Sequence, residues 1–196
     1  MVDPGNRSFS ETELEIMRAT YRALAEYGYA DLTMQRIAAE YGKSTAAIHY
    51  HYDTKDDLLS AFLEYLLAQF VDSIHGIETI DSRDRLDTLL DTLLVEAGEH
   101  HDLLRAILEM RSQAPYNETF RTQFRENDEY VHYTLKAVIN HGIDEGEFED
   151  VDADHVARAL LTIIDGGRTR AVVFEEDDAL ETARNVAAEY VAATLL

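Results

Sequence analysis

The stretch "TMQRIAAEYGKSTAAIHYHYDTKDDLL", residues 33–59, decides the fold of this chain. Thr33 is an N-cap residue ahead of a short helix over 34–41, "MQRIAAEY". Gly42 suits a stop that needs a positive φ. Ser44 caps a second short helix over 45–52, "TAAIHYHY", so only "GKS" joins the pair. Thr54, with Asp57 three residues on, has the capping-box spacing and opens a longer helix. The apolar face of that helix is Leu58, Leu59, Phe62, Leu63, Leu66, Phe70 and Ile74. Two short helices joined by a tight Gly-containing turn have the spacing of a helix-turn-helix. In that motif the second helix lies in the DNA major groove and the first crosses the backbone. Paired short helices also occur as plain structure, so the residue types must carry the reading.

Those types fit DNA. Ile37, Ala38 and Ile48 are apolar where the two helices must meet. Thr45, Ala46 and Ala47 are small where the second helix must approach base edges. Thr33, Lys43, Ser44, His49, Tyr50, His51 and Lys55 are the polar and cationic groups that would hold phosphates. A metal site at His49 and His51 fails on geometry, because residues two apart on a helix do not share a face. The acid-x-x-His pairs Asp72/His75, Glu129/His132 and Asp152/His155 have di-iron spacing. With 39 acidic residues in 196, such pairs arise by chance. No metal and no cofactor are expected.

Upstream, "SETELEIMRATYRALAEYG" starts with Ser10 and Glu13 at capping-box spacing and ends at Gly28. Leu14, Met17, Tyr21, Leu24 and Ala25 repeat at helical intervals. Downstream, the periodicity predicts five more helices, over roughly 82–97, 101–113, 117–141, 153–175 and 178–195. Gly98, the "QAPYN" turn, "HGIDEGEFED" and "EEDD" separate them. No stretch sustains strand alternation, so the expected class is all-α with about nine helices.

Residues 16–63 resemble the DNA-binding region of TetR-family (TetR/AcrR-like) transcriptional regulators. The resemblance is carried by "IMRATYRALAEYGYADLTMQRIAAEYGKSTAAIHYHYDTKDDLL". Its features are Ala23–Leu24, Gly28–Tyr29, Thr33, Ile37–Ala38, Gly42, Ser44, Ile48, Tyr52 and the "TKDDLL" opening of the fourth helix. Three positions depart from the family pattern: Lys43 stands where an aliphatic residue is usual, His49 where tyrosine is, and Tyr52 where phenylalanine is. A phosphate beside His49 would favour its charged form, which predicts DNA affinity that depends on pH near neutrality.

The resemblance implies a helix-turn-helix domain over 1–54, with a flexible arm at 1–9, and a ligand-binding and dimerisation domain over 55–196. Its partners would be a double-stranded DNA operator, a small apolar or amphipathic effector, and a second copy of the chain. Leu66, Phe70, Leu103, Ile107, Met110, Tyr116, Phe120, Phe124 and Val138 are the expected pocket walls. Arg105, Glu109, Arg111 and His132 are candidate polar anchors. The expected two-fold interface draws on Leu160, Ile164, Gly167, Ala171, Phe174, Val186, Ala187, Tyr190 and Val191. The bland reading of that set is core within one chain. Gly166 and Gly167 read as helix-packing positions.

Composition sets the remaining bounds. Acidic residues outnumber basic ones 39 to 17, a net charge of −22, and only three of the basic residues are lysines. Such a surface resembles proteins of salt-accumulating halophiles. At about 1 M salt the Debye length is about 3 Å, so self-repulsion is screened. Residues 1–60 carry 6 basic and 10 acidic groups, leaving 11 and 29 for the rest, so the DNA-reading third is the least acidic. With no cysteine, disulfides and a thiol nucleophile are excluded. HExxH, phosphate-loop, GxGxxG and GxSxG motifs are missing, so no enzyme is expected. No apolar run reaches membrane-span length and no signal peptide is visible, which predicts a cytoplasmic protein. The alternative function is a helical binding or scaffold protein with a degenerate helix-turn-helix.

Overall fold

The computed structural model describes residues 9–75, 81–96, 98 and 100–196. Residues 1–8 of the expected arm, Glu99, and the side chains of Ile74 and His75 lie outside that description. All regular structure among the described residues is helical. The helices are α1 (Glu11–Tyr27), α2 (Met34–Tyr41), α3 (Thr45–His49), α4 (Lys55–His75) and α5 (Ser82–Asp91). A π-helical turn (Thr92–Glu96) prolongs α5. Then follow α6 (His101–Gln113), α7 (Glu118–Asp144), α8 (Ala153–Val173) and α9 (Ala179–Thr194).

The chain forms two compact units. The first combines the residues up to Ser73 with Arg105–Asp128, and the second combines Ile74–Leu104 with Glu129–Leu196. The boundary expected after residue 54 falls inside the first unit. The chain passes between units within α4, α6 and α7.

Caps account for most helix starts in the first unit. Ser10 and Glu13 form a reciprocal capping box on α1, with the Ser10 amide donating to Glu13 Oε2 at 2.9 Å. The Thr33 hydroxyl accepts the Arg36 amide at 3.2 Å. The Thr54 amide donates to Asp57 Oδ2 at 3.0 Å, while the Asp57 amide returns a 3.1 Å bond to the Thr54 hydroxyl. Each such cap is worth about 0.5–2 kcal/mol. Ile16, Met17, Leu24, Ile37, Ile48, Leu58, Leu59 and Phe62 are fully buried. Each contributes about 1.5–3 kcal/mol of apolar burial. Phe9, the last residue of the expected arm, sets its ring edge-on to Tyr65 with centroids 5.8 Å apart.

In the second unit, α8 and α9 pack closely through Gly167. A Cβ on Gly167 would stand 2.4 Å from that of Ala183. Arg184 on α9 bridges to Asp87 at 3.0 Å and Asp91 at 2.5 Å on α5. The Leu93 carbonyl, within the π turn, takes two bonds from α8. Arg168 donates both, from Nε at 3.0 Å and from its terminal nitrogen at 2.7 Å.

The helix expected over 117–141 runs on to Asp144, into the "HGIDEGEFED" separator, so Gly142 is helical. The Phe148 ring covers Gly142 so tightly that a Cβ would sit 2.3 Å from the ring. The turn belongs instead to Gly146, at φ +74°. The acid-x-x-His spacing at Asp152/His155 proves to be a cap: Asp152 Oδ1 accepts the Asp154 and His155 amides at 3.0 and 3.2 Å.

Candidate functional site

The site is built on the turn between α2 and α3. Gly42 adopts the left-handed region, φ 73° and ψ 19°, and its amide reaches back to the Ala38 and Ala39 carbonyls. No atom lies within 4 Å of where its Cβ would be, so backbone conformation alone makes glycine the fit. The Ser44 side chain makes no capping bond and is exposed, leaving its hydroxyl available to a partner.

Helix α3 is shorter than the expected 45–52. It ends at His49, and the chain continues as a tight turn in which the His51 and Tyr52 amides both donate to the Ile48 carbonyl, at 2.9 and 3.0 Å. The start of α4 sets this limit, because Asp53 and Thr54 must leave the helical path for Thr54 to cap. The short helix still separates two faces. Ile48 is fully buried and Tyr52 nearly so. Ala46, His49, Tyr50 and His51 are exposed, with Tyr50 at 86%. The Tyr50 and His51 rings meet edge-on, centroids 5.2 Å apart. Thr33 is exposed at the head of α2, and Thr45 is half-buried.

The two lysines are held differently. Lys43 Nζ donates to the Tyr41 hydroxyl at 3.0 Å and lies 3.3 Å from Glu15 Oε2. Hydrogen bonding to Tyr41, then to Glu15, raises its pKa. Both partners in the Glu15 pair are about half exposed. Such pairs are worth about 0–1 kcal/mol, so a phosphate can replace the carboxylate. Lys55 Nζ donates to the Leu32 carbonyl at 3.2 Å and sits 4.7 Å from the Tyr29 ring centroid. An ammonium has three donors, so Lys55 can take a phosphate without leaving this seat. Two other cations of the first unit are engaged: Arg22 with Glu40 at 3.1 Å, and Arg36 over the Tyr27 ring at 4.4 Å.

The residues expected to wall an effector pocket divide between the units. In the first, Met110 and Phe120 are fully buried, Leu66, Phe70, Ile107 and Phe124 are half-buried, and Tyr116 is 90% exposed. In the second, Leu103 and Val138 are buried. The second unit also has a cleft of about 750 Å³, whose described lining includes none of those nine. Leu94, Val95, Ala171 and Leu180 give it an apolar floor, and Glu175, Glu176, Asp177 and Glu181 stand around it with His101 and Arg184. The composition signal that could have found it is the "EEDD" run, which reads from sequence only as a breaker.

Of the candidate polar anchors, Glu109 accepts the Tyr29 amide at 2.9 Å. His132 lies 3.6 Å from Asp154, which also receives Lys136 at 2.9 Å and Arg158 at 2.8 Å. Of the expected interface residues, Leu160, Ile164, Gly167, Ala171, Ala187 and Val191 are buried within the single chain. Tyr190 is half-buried, while Phe174 and Val186 remain 61% and 44% exposed.

Comparison with known proteins agrees with this geometry. Residues 16–62 match the family model described as bacterial regulatory proteins, tetR family. Residues 82–196 match the model for the C-terminal region of BetI-type transcriptional repressors. The HTH-type transcriptional repressor AcnR of Corynebacterium diphtheriae is 25% identical over 95% of this chain and 94% of its own. A TetR transcription regulator from Haloarcula marismortui is 68% identical in its crystal structure, with a TM-score of 0.91 over 96% of this chain and 100% of that one. A putative transcriptional regulator from Saccharomonospora viridis, crystallised with choline, is 26% identical with a TM-score of 0.81, covering 95% of this chain and 98% of that one. This chain belongs to the TetR family of transcriptional regulators.

Proposed function

We propose that the chain is a homodimeric repressor that grips operator DNA through the strip Lys43–His51 and is released by a small amphipathic effector. The observation that carries this reading is the split of α3 and its turn. Ile48 and Tyr52 are buried, while Ala46, His49, Tyr50 and His51 face solvent in an otherwise acidic protein. Thr45 and Ala46 read base edges. Lys43, Ser44, His49, Tyr50, His51 and Lys55 hold phosphates, with Thr33 doing so from the head of α2. Paired heads must reach successive major-groove turns, about 34–36 Å apart, which a two-fold dimer supplies. Val173 and Phe174, both 61% exposed, and Val186 supply apolar surface for that dimer.

The effector reading rests on the second-unit cleft: its apolar floor and the carboxylates of Glu175, Asp177 and Glu181 suit an apolar body with a cationic head, since Arg184 in the same lining is already paired with Asp87 and Asp91. The choline-bound neighbour supports the same chemistry. Release follows if the effector prefers the conformation that binds operator poorly.

Selection of fragments of the source genome by the purified protein at molar salt tests this. One or a few enriched sites with two-fold symmetry are expected, released by quaternary ammonium compounds or by neutral amphiphiles. Retention of no fragment above background would leave the scaffold reading in its place. The high acidity and the Haloarcula neighbour both fit a working environment of high salt.

A further inference from the structure

We propose that Glu109 is a positioning residue for DNA binding: its carboxylate, with Asn117 and Phe120, holds the reading head in its binding geometry from behind. This rests on the DNA-binding reading above.

The need for it begins at Gly28. That residue ends α1 with φ +67°, and its amide closes the helix on the Leu24 carbonyl at 2.9 Å. The next amide, Tyr29, points away from the helical ladder and must find another acceptor. Glu109 on α6 supplies it at 2.9 Å in a partly buried setting. A Cβ on Gly28 would stand 3.4 Å from the same carboxylate oxygen, so the turn lies directly against it.

Two further contacts come from the start of α7. The Phe120 ring meets Tyr29 edge-on, centroids 6.0 Å apart. Asn117 donates from Nδ2 to Asp56 Oδ2 at 2.8 Å, while its Oδ1 accepts the Phe120 amide at 3.2 Å. Lys55 spans the two held points, with its amine on the Leu32 carbonyl and over the Tyr29 ring.

The topology of these contacts is the point. Tyr29 precedes α2, and Asp56 opens α4. The whole helix-turn-helix, residues 33–52, runs between two points gripped by one α6–α7 corner. None of the corner residues lies on the strip Lys43–His51. Holding both ends of a recognition segment limits the orientations it must give up on binding, and so raises affinity without a new contact.

Glu109→Ala, Glu109→Gln and Asn117→Ala test this against a duplex selected by the wild-type protein, at a temperature where every variant is folded. Glu109→Ala is expected to weaken binding about tenfold or more, the scale of one charge-assisted hydrogen bond. The slope of log affinity against log salt should stay at the wild-type value, because no phosphate contact is removed. Glu109→Gln keeps an oxygen acceptor for the Tyr29 amide and should restore most of the affinity. Asn117→Ala releases the second grip and should show the same loss at unchanged slope, which keeps the test open if Glu109→Ala does not fold. A carboxylate that merely satisfies a stray amide would lower the melting temperature and leave the affinity of the folded protein unchanged, overturning the proposal. Wild-type protein that selects no duplex overturns the proposal and the DNA-binding reading together. Wild-type binding with unchanged variant affinities overturns the positioning role alone.

Discussion

Gly167 on α8 stands so close to Ala183 on α9 that a methyl group added to the glycine would lie 2.4 Å from the alanine Cβ. Its neighbour Gly166 faces open space, with nothing within 4 Å of the corresponding position. Identical chemistry at adjacent positions should therefore have opposite signs. Gly167→Ala forces α8 and α9 apart and should destabilise by about 1–3 kcal/mol, the usual range for overpacking. Gly166→Ala should stabilise by about 0.5–1 kcal/mol through helix propensity. Thermal or denaturant unfolding of the two variants at one salt concentration measures both.

The two lysines of the first unit predict different losses on DNA. Each phosphate contact removed lowers the magnitude of the salt slope by about 0.9. Lys55 is already oriented by the Leu32 carbonyl and Tyr29. Lys55→Ala should therefore show the full change and a large drop in affinity. Lys43 must exchange Glu15 for phosphate, so Lys43→Ala should cost less affinity and flatten the slope by less. Binding isotherms over a salt series compare them, and an unchanged slope in both variants would remove these residues from the phosphate face.

Asp154 makes stability depend on acid. Hydrogen bonds from Lys136, then Arg158, hold its carboxyl well below the ordinary range, at about 2. A depressed folded pKa means that the unfolded chain takes up the proton first. The contribution of Asp154 is fully present above about pH 4 and is lost as pH falls through about 2. Asp154→Asn should flatten the pH dependence of unfolding in that window and leave it unchanged near neutrality. Carboxyl NMR titration of the wild-type protein reads the same shift directly.

Phe174 ends α8 with most of its ring in solvent, beside the exposed Val173. If these residues meet a second copy, Phe174→Glu places paired carboxylates at a two-fold contact. The variant should sediment as a monomer at concentrations where the wild-type protein is a dimer, and it should lose affinity for two-half-site DNA. Because the side chain is exposed in the single chain, the fold of the protomer should survive. Equal sedimentation of the two proteins would exclude this contact.

The reading head was legible in sequence because its signals are local. Thr33, Gly42, Ser44 and Thr54 mark helix ends within a few residues of where they act, and Ile37 and Ile48 fall where their spacing puts them. The length of α3 was not legible, since the claim of Thr54 on the chain competes with continued helix and only geometry decides between them. The separator "HGIDEGEFED" holds two glycines, and sequence does not say which one turns the chain: Gly142 admits the Phe148 ring within α7, while Gly146 takes the positive φ. Small and branched residues along α8 and α9 could serve core or interface equally, and burial assigns most of them to the core of one chain. Glu109 joins Tyr29 across 80 residues of sequence, and no periodicity reports a contact of that kind.

The Glu15–Lys43 pair has a consequence for life in brine. Glu15 offers Lys43 an anionic oxygen at 3.3 Å, so if Lys43 takes a phosphate, the protein carries its own competitor for that cation. A phosphate that displaced it would free a carboxylate that attracts a metal ion from solution, against the cations shed by the duplex. The net release of ions is then smaller than the number of phosphates touched. Affinity would fall less steeply as salt rises, and a regulator working among molar potassium or sodium would keep a usable grip where a more basic one, drawing on charge alone, would let go.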